Sequence, residues 1–156
     1  MCEYCGCQDV PAIAALTEEH DEIRAVARVA AQAARSADRA PAAAATERLL
    51  ALLGPHTEIE ERGLFPAMAG EFADHVASLQ ADHRRIEAVF AEIATGDGRP
   101  GWVERLDAAL AELFTHILRE QDGLFPATLS VLTPDDWEAL DWVRVEVTSR
   151  DEATIT

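Results

Sequence analysis

The chain carries one short pattern of potential metal ligands twice, at matching offsets. His56-Thr-Glu-Ile-Glu60-Glu-Arg-Gly-Leu-Phe-Pro66 in the first half corresponds to His116-Ile-Leu-Arg-Glu120-Gln-Asp-Gly-Leu-Phe-Pro126 in the second. Upstream of each copy, His20 in Thr17-Glu-Glu-His20-Asp-Glu-Ile23 corresponds to His83 in Gln80-Ala-Asp-His83-Arg-Arg-Ile86. His20 precedes His56 by 36 residues and His83 precedes His116 by 33, so the order is His, His-x-x-x-Glu, His, His-x-x-x-Glu. Four of the five histidines belong to this pattern. Residues four apart on a helix lie one turn apart on one face. The spacing therefore asks for four helices whose ligand-bearing faces meet around a common volume.

Composition agrees with helices. Apolar residues make up 49% of the 156, much of it alanine, the strongest helix former, and aromatic residues only 6%. The expected fold is all-α: an up-down antiparallel four-helix bundle with a short fifth helix at the C-terminus. Net charge is -16, and all thirteen basic residues are arginine. Such a chain repels nucleic-acid phosphates and anionic membranes, so neither is an expected partner. No stretch approaches the length of a membrane span. The N-terminal Met-Cys-Glu-Tyr-Cys-Gly-Cys lacks a basic start and an apolar core, so a cytoplasmic location is the default expectation.

Three regions follow. Residues 1–10 form a Cys-rich tail, 11–147 the bundle domain and 148–156 a polar, frayed tail. The predicted helices cover about 11–35, 42–65, 72–94 and 102–125, with the fifth from 134 to 147. Pro55 should kink the second helix one turn upstream, because its ring crowds the carbonyl of Ala51. A break is expected at Pro66 to Gly70, and Pro126 should end the fourth helix. Thr133-Pro134-Asp135-Asp136 has the residues of a strong helix start.

His56 with Glu60 and His116 with Glu120 can each present a nitrogen and an oxygen inward, and His20 and His83 add one nitrogen each. Imidazole and carboxylate without thiolate suit iron, manganese or zinc. Six ligands shared by two ions leave positions open for water, oxygen or peroxide. The ferritin-type Glu-x-x-His motif is absent, because positions 17, 53, 72, 80 and 113 are Thr17, Leu53, Phe72, Gln80 and Leu113. His-Glu-x-x-His, the zinc protease motif, is absent too.

The ordered set His20, His56-x-x-x-Glu60, His83, His116-x-x-x-Glu120, with Leu-Phe-Pro after each Glu, resembles the hemerythrin-like (HHE cation-binding) domain over about residues 11 to 147. The resemblance implies a four-helix bundle around two non-haem iron ions with a bridging oxo or hydroxo group. His20, His56, His83 and His116 would be terminal ligands, and Glu60 and Glu120 would bridge. The chain departs from the oxygen carriers of that family. They have another histidine four residues from the third-helix one, where this chain has Leu79 and Glu87. Their fourth-helix carboxylate is an aspartate five after the histidine, where this chain has Gln121, and Glu120 stands in. One iron thereby loses a nitrogen ligand. The more open site points away from reversible oxygen storage and toward peroxide or nitric oxide chemistry.

Other residues are secondary candidates. Glu87 would supply the missing ligand or, since it aligns with Arg24 in the repeat, pair with Arg24 beside the site. Glu112 lies one turn before His116, but its counterpart is Leu52, which favours Glu120. Glu18, Glu58 and Glu61 read as solvated face. His75, without a counterpart, reads as surface or support. Phe65, Phe90, Phe114 and Phe125 read as core, with Phe65 and Phe125 keeping the site dry. Cys2, Cys5 and Cys7 are one ligand short of a closed zinc site, which Asp9, His75 or another chain would complete. They suit either a second metal or redox element, with Tyr4 travelling alongside, or a mobile tail.

The expected function is a di-iron protein that decomposes hydrogen peroxide in oxidative or nitrosative stress defence. The alternatives are an O2- or NO-binding sensor, with the tail or the helix bearing Trp137 and Trp142 as output, and iron buffering. Expected partners are O2, NO or H2O2, with an electron-donor protein a further candidate and the chain a monomer or homodimer.

Overall fold

The computed structural model describes residues 6–96 and 98–155. It is a helical bundle without strands among these residues. A 3-10 turn, Cys7–Asp9, leads into α1 (Pro11–Arg35) and α2 (Arg39–Ile59). A five-residue π-turn, Glu60–Leu64, joins α2 to α3 (Phe65–Thr95). After α4 (Trp102–Arg119), a second π-turn, Glu120–Leu124, leads into α5 (Phe125–Val131), and α6 (Pro134–Ile155) ends the described chain. None of the described helices is long and apolar enough to cross a membrane.

α1 begins as expected, with Pro11 in the first turn, where its missing N–H costs nothing. Its apolar stripe, Ile13, Leu16, Ile23, Val26, Ala30 and Ala33, is buried. The turn between α3 and α4 needs glycine at Gly98 (φ 76°) and Gly101 (φ 79°), both left-handed. α6 is opened by a reciprocal cap: Thr133 N–H donates to Asp136 Oδ2 (2.8 Å), and Asp136 N–H donates to Thr133 Oγ1 (3.3 Å).

Several boundaries differ from expectation. α2 continues through Pro55, but it runs from Arg39 to Ile59 rather than from 42 to 65. The expected break at Pro66–Gly70 is helical, because Pro66 falls in the first turn after a π-turn, where no donor is missed. α3 instead bends at Phe72 (φ -123°, ψ 37°). Pro126 likewise begins α5 rather than ending a helix. The last helix is not short: its 22 residues run through the stretch expected to be a polar tail. Once the cap has nucleated α6, each further residue adds one hydrogen bond, so a polar sequence continues the helix.

Around the bundle, α1 packs on α2, α2 on α3, α3 on α4 and α4 on α1, while α6 lies over the first π-turn and α2. The buried side chains form two apolar clusters. One contains Ile23, Leu53, Ile86, Phe90, Leu113 and Ile117. The other contains Cys7, Leu16, Ile59, Phe65, Leu79, Leu124, Phe125 and Leu140. On α1 the chain passes from Leu16 of the second cluster, through His20, to Ile23 of the first. On α2 it returns from Leu53 through His56 to Ile59, on α3 it goes from Leu79 through His83 to Ile86, and after α4 it returns from Leu113 to Leu124. The histidines thus form a polar layer between two apolar ones.

Candidate metal centre

The two π-turns sit at corresponding places in the repeat, each starting at a glutamate of the motif. In both, a phenylalanine N–H reaches back five residues, Phe65 to the Glu60 carbonyl and Phe125 to the Glu120 carbonyl. The prolines that follow have no N–H to give to the carbonyl four residues back, which favours the wider turn. The turned phenylalanines cover the site. Phe65 stacks on the His83 ring (5.8 Å between centroids) and Phe125 on His20 (5.6 Å). Gly63 is needed for packing: a Cβ there would meet Leu140 Cδ1 of α6 at 2.6 Å.

All six residues singled out by the repeat come together, and all six are buried. They form two four-residue groups, His20, His56, Glu60 and Glu120, and Glu60, His83, His116 and Glu120, each able to hold a metal ion. Both carboxylates belong to both groups. Glu60 turns Oε1 toward His56 Nε2 (3.4 Å) and Oε2 toward His83 Nε2 (3.4 Å). Glu120 turns Oε2 toward His20 Nε2 (3.2 Å) and Oε1 toward His116 Nε2 (3.0 Å). Each carboxylate therefore gives one oxygen to each group.

The histidines meet in pairs, Nε2 to Nε2, at 3.0 Å for His20 and His56 and 2.9 Å for His83 and His116. Three have their other nitrogen against a carboxylate: His56 Nδ1 on Glu19 (2.8 Å), His83 Nδ1 on Glu61 (2.8 Å) and His116 Nδ1 on Asp82 (3.2 Å). An ionised carboxylate only accepts, so each Nδ1 is the donor and carries the proton. That leaves Nε2 of the neutral rings as a lone pair aimed at its neighbour. Between His83 and His116, where both Nδ1 protons are so placed, the facing lone pairs at 2.9 Å repel unless a cation lies between them. The four carboxylate oxygens of Glu60 and Glu120 are buried without a hydrogen-bond partner. Orphaned oxygens and facing nitrogens are the donor set that a metal ion would satisfy.

Without a metal, protons do the same work. Burial pushes His56 down, but the charges of Glu60 and Glu120 and the hydrogen bond to Glu19 overcome it and raise it to about 10. His83 is pushed down by burial and raised to about 9 by Glu60, Glu120 and Glu61. His116 is also raised, with Glu120 outweighing burial. Burial opposes ionisation of Glu60, yet the facing His56 and His83 hold its carboxyl well below the usual carboxylate range. Glu120 is lowered by His116 and His20 against both burial and the charge of Glu60.

The supporting carboxylates were not legible in the repeat. Glu61 reads from the sequence as solvent-facing, but the wider π-turn that starts at Glu60 brings it onto His83. Glu19 and Asp82 had no assigned role. A signal was present, because each immediately precedes a motif histidine, His20 and His83. Arginines hold them in turn: Arg144 of α6 bonds Glu19, and Arg119 Nη1 donates to Asp82 Oδ2 (2.6 Å).

Other expectations need correcting. Glu87 and Arg24 do not pair. Arg24 reaches across the bundle to Gln121 Oε1 (2.7 Å) and to Asp21, and Glu87 accepts from Thr57 Oγ1 (3.2 Å). Glu112 faces outward and pairs with Arg85 (2.7 Å), because one turn of α4 before His116 leads away from the shared centre. Glu58 stays on the surface with Arg62 and Arg150, as expected. His75 stands outside both metal groups. Cys7 is fully buried in the second apolar cluster, where Ile13 and Phe125 also lie, not displayed on a mobile tail. Cys2, Tyr4 and Cys5 lie outside the described residues.

Against the histidine layer, on the side away from Phe65 and Phe125, lies a small, partly enclosed space of about 10 Å³. Its walls are Ile23, Leu53, Ile86, Leu113 and Ile117, with Thr57 and Glu87 as polar groups beside the histidines. It is of the order needed for one water-sized molecule.

A family model of the hemerythrin HHE cation-binding domain matches residues 11–128. The chain belongs to this family. Membership implies a metal, typically iron, held by the buried His and Glu groups just described. No curated protein and no solved structure matches the chain.

Proposed function

We propose that the centre holds two non-haem iron ions, bridged by Glu60 and Glu120 and by an oxo or hydroxo group, and that the protein decomposes hydrogen peroxide. His20 and His56 would hold one ion, His83 and His116 the other, in an up-down antiparallel four-helix bundle spanning about residues 11 to 147. The alternating passage of α1 to α4 between the two apolar clusters supports that arrangement. The observation that carries the reading is the pair of four-donor groups that share both carboxylates.

Bound iron would supply the redox chemistry, two peroxides yielding two waters and one O2. The protein's own part is selection and dryness. The apolar walls of the small space, of the order of one water-sized molecule, would admit only the smallest ligands, and the rings of Phe65 and Phe125 close the opposite side. Glu87, bonded to the Thr57 hydroxyl, offers a carboxylate at the rim of that space to accept or return a proton.

A second reading, an O2 or NO sensor, is favoured by one contact. Arg144 of α6 bonds Glu19, which bonds His56, so a change at the centre has a route to the last helix.

The test is metal content and the optical spectrum of protein from iron-replete cells, followed by peroxide under an oxygen electrode. Two irons per chain and oxygen release that disappears in His56→Ala support the enzyme. Two irons without release shift the function to O2 or NO binding. No iron overturns the di-iron reading.

A further inference from the structure

The four histidines are not supported alike. The repeat maps His56 and its partner Glu19 onto His116 and Asp82, and these match, carboxylate for carboxylate. It also maps His83 and Glu61 onto His20 and Gln121, and here the match fails. Gln121 Oε1 is taken by Arg24 Nη2 at 2.7 Å. Gln121 Nε2 and His20 Nδ1 are both buried without a hydrogen-bond partner. The Arg24 bond fixes which way the amide points, because swapping its ends would set a donor against the guanidinium. Two orphaned polar atoms thus mark the point where the carboxylate support of the four histidines breaks the repeat.

We propose that the two halves of the centre are unequal: His83 and His116 form the tight position, filled first, while His20 and His56 form the weaker, exchangeable one, with Gln121 and Arg24 setting the difference. This rests on the reading that the cluster holds two ions. A carboxylate behind an imidazole fixes its ring and strengthens it as a donor, and losing such a partner costs roughly 10–100-fold in metal affinity. In the His83 and His116 half both rings have that support. In the other half only His56 does, and His20 is held by its stack on Phe125. The Arg24 guanidinium beside Gln121 further opposes a cation on that side.

The test is titration of metal-free, full-length protein with Zn(II) against a chelating indicator, for wild type, Gln121→Glu and Glu61→Gln. Two ions sharing two carboxylates repel each other, so two steps in the wild type are expected from any such centre. The variants discriminate. Gln121→Glu should tighten the second step by about tenfold or more and leave the first unchanged, and Glu61→Gln should weaken the first by a similar factor. Both replacements keep side-chain shape, and a circular-dichroism melt checks each fold. A shift of the first step in Gln121→Glu would overturn the assignment. So would two bound ions in the wild type with neither variant moving either step. No metal bound to the wild type would overturn the two-ion reading and this inference with it.

Discussion

His83 Nε2 faces His116 Nε2 at 2.9 Å, although each ring already gives its other N–H to a carboxylate. This relationship cannot persist between two neutral imidazoles. Either a proton or a metal ion lies in the gap, and the two compete.

That competition sets a pH dependence. In metal-free protein His56 and His83, raised to about 10 and about 9, are both protonated at neutral pH. Metal uptake at pH 7 should therefore release close to two protons, and metal affinity should climb as pH rises toward 9–10. Stability of the metal-free protein runs the other way. Both folded-state values lie above the ordinary 6.5, so this stabilisation is complete below 6.5 and is lost as pH rises through 9 to 10. Calorimetry of Zn(II) binding in buffers of different ionisation enthalpy, with melts of the chelated protein across pH, checks both signs. No proton release would contradict the protonated metal-free cluster.

Chelation should lower the melting temperature. A ligand at a hundredfold its Kd stabilises by about 2.7 kcal/mol per site. For a chain of this size that is about 5–10 °C. Differential scanning calorimetry with and without a chelator measures it, and coincident melts would argue against a folded-state metal site.

Asp82→Asn should weaken metal binding by about 10–100-fold while leaving helix content intact. Asp82 holds the His116 Nδ1 proton and is itself held by Arg119. An asparagine can present its amide oxygen to His116 but carries no charge. Titration against a competing chelator reads the change, and an unaltered affinity would reduce Asp82 to a packing role.

The two motif glycines should respond oppositely to alanine. Gly63→Ala places a methyl 2.6 Å from Leu140 Cδ1 and 3.3 Å from Leu140 Cα, so α6 must shift. The expected cost is about 1–3 kcal/mol. At Gly123 nothing lies within 4 Å, and alanine should stabilise by about 0.4–1 kcal/mol through the unfolded chain. Urea melts of the two variants decide, and equal effects would show that the docking of α6 on the first π-turn is loose.

The sequence alone determined the four ligand-bearing helices, though not all their ends, and the inward set. His20, His56, Glu60, His83, His116 and Glu120 were legible because helical periodicity is local: a four-residue offset fixes a shared face whatever the rest of the chain does. The cap at Thr133 and Asp136 was legible for the same reason. What lies between helices was not. Glu19, Glu61 and Asp82 find their histidines, and Arg24 finds Gln121 instead of Glu87, through the rotation and depth at which neighbouring helices pack. The π-turns were hidden as well, since Gly-Leu-Phe-Pro resembles a helix stop until the bundle offers Phe65 and Phe125 histidine rings to cover. Local spacing chose the donors; only tertiary packing decided which donor is held, by what, and how firmly.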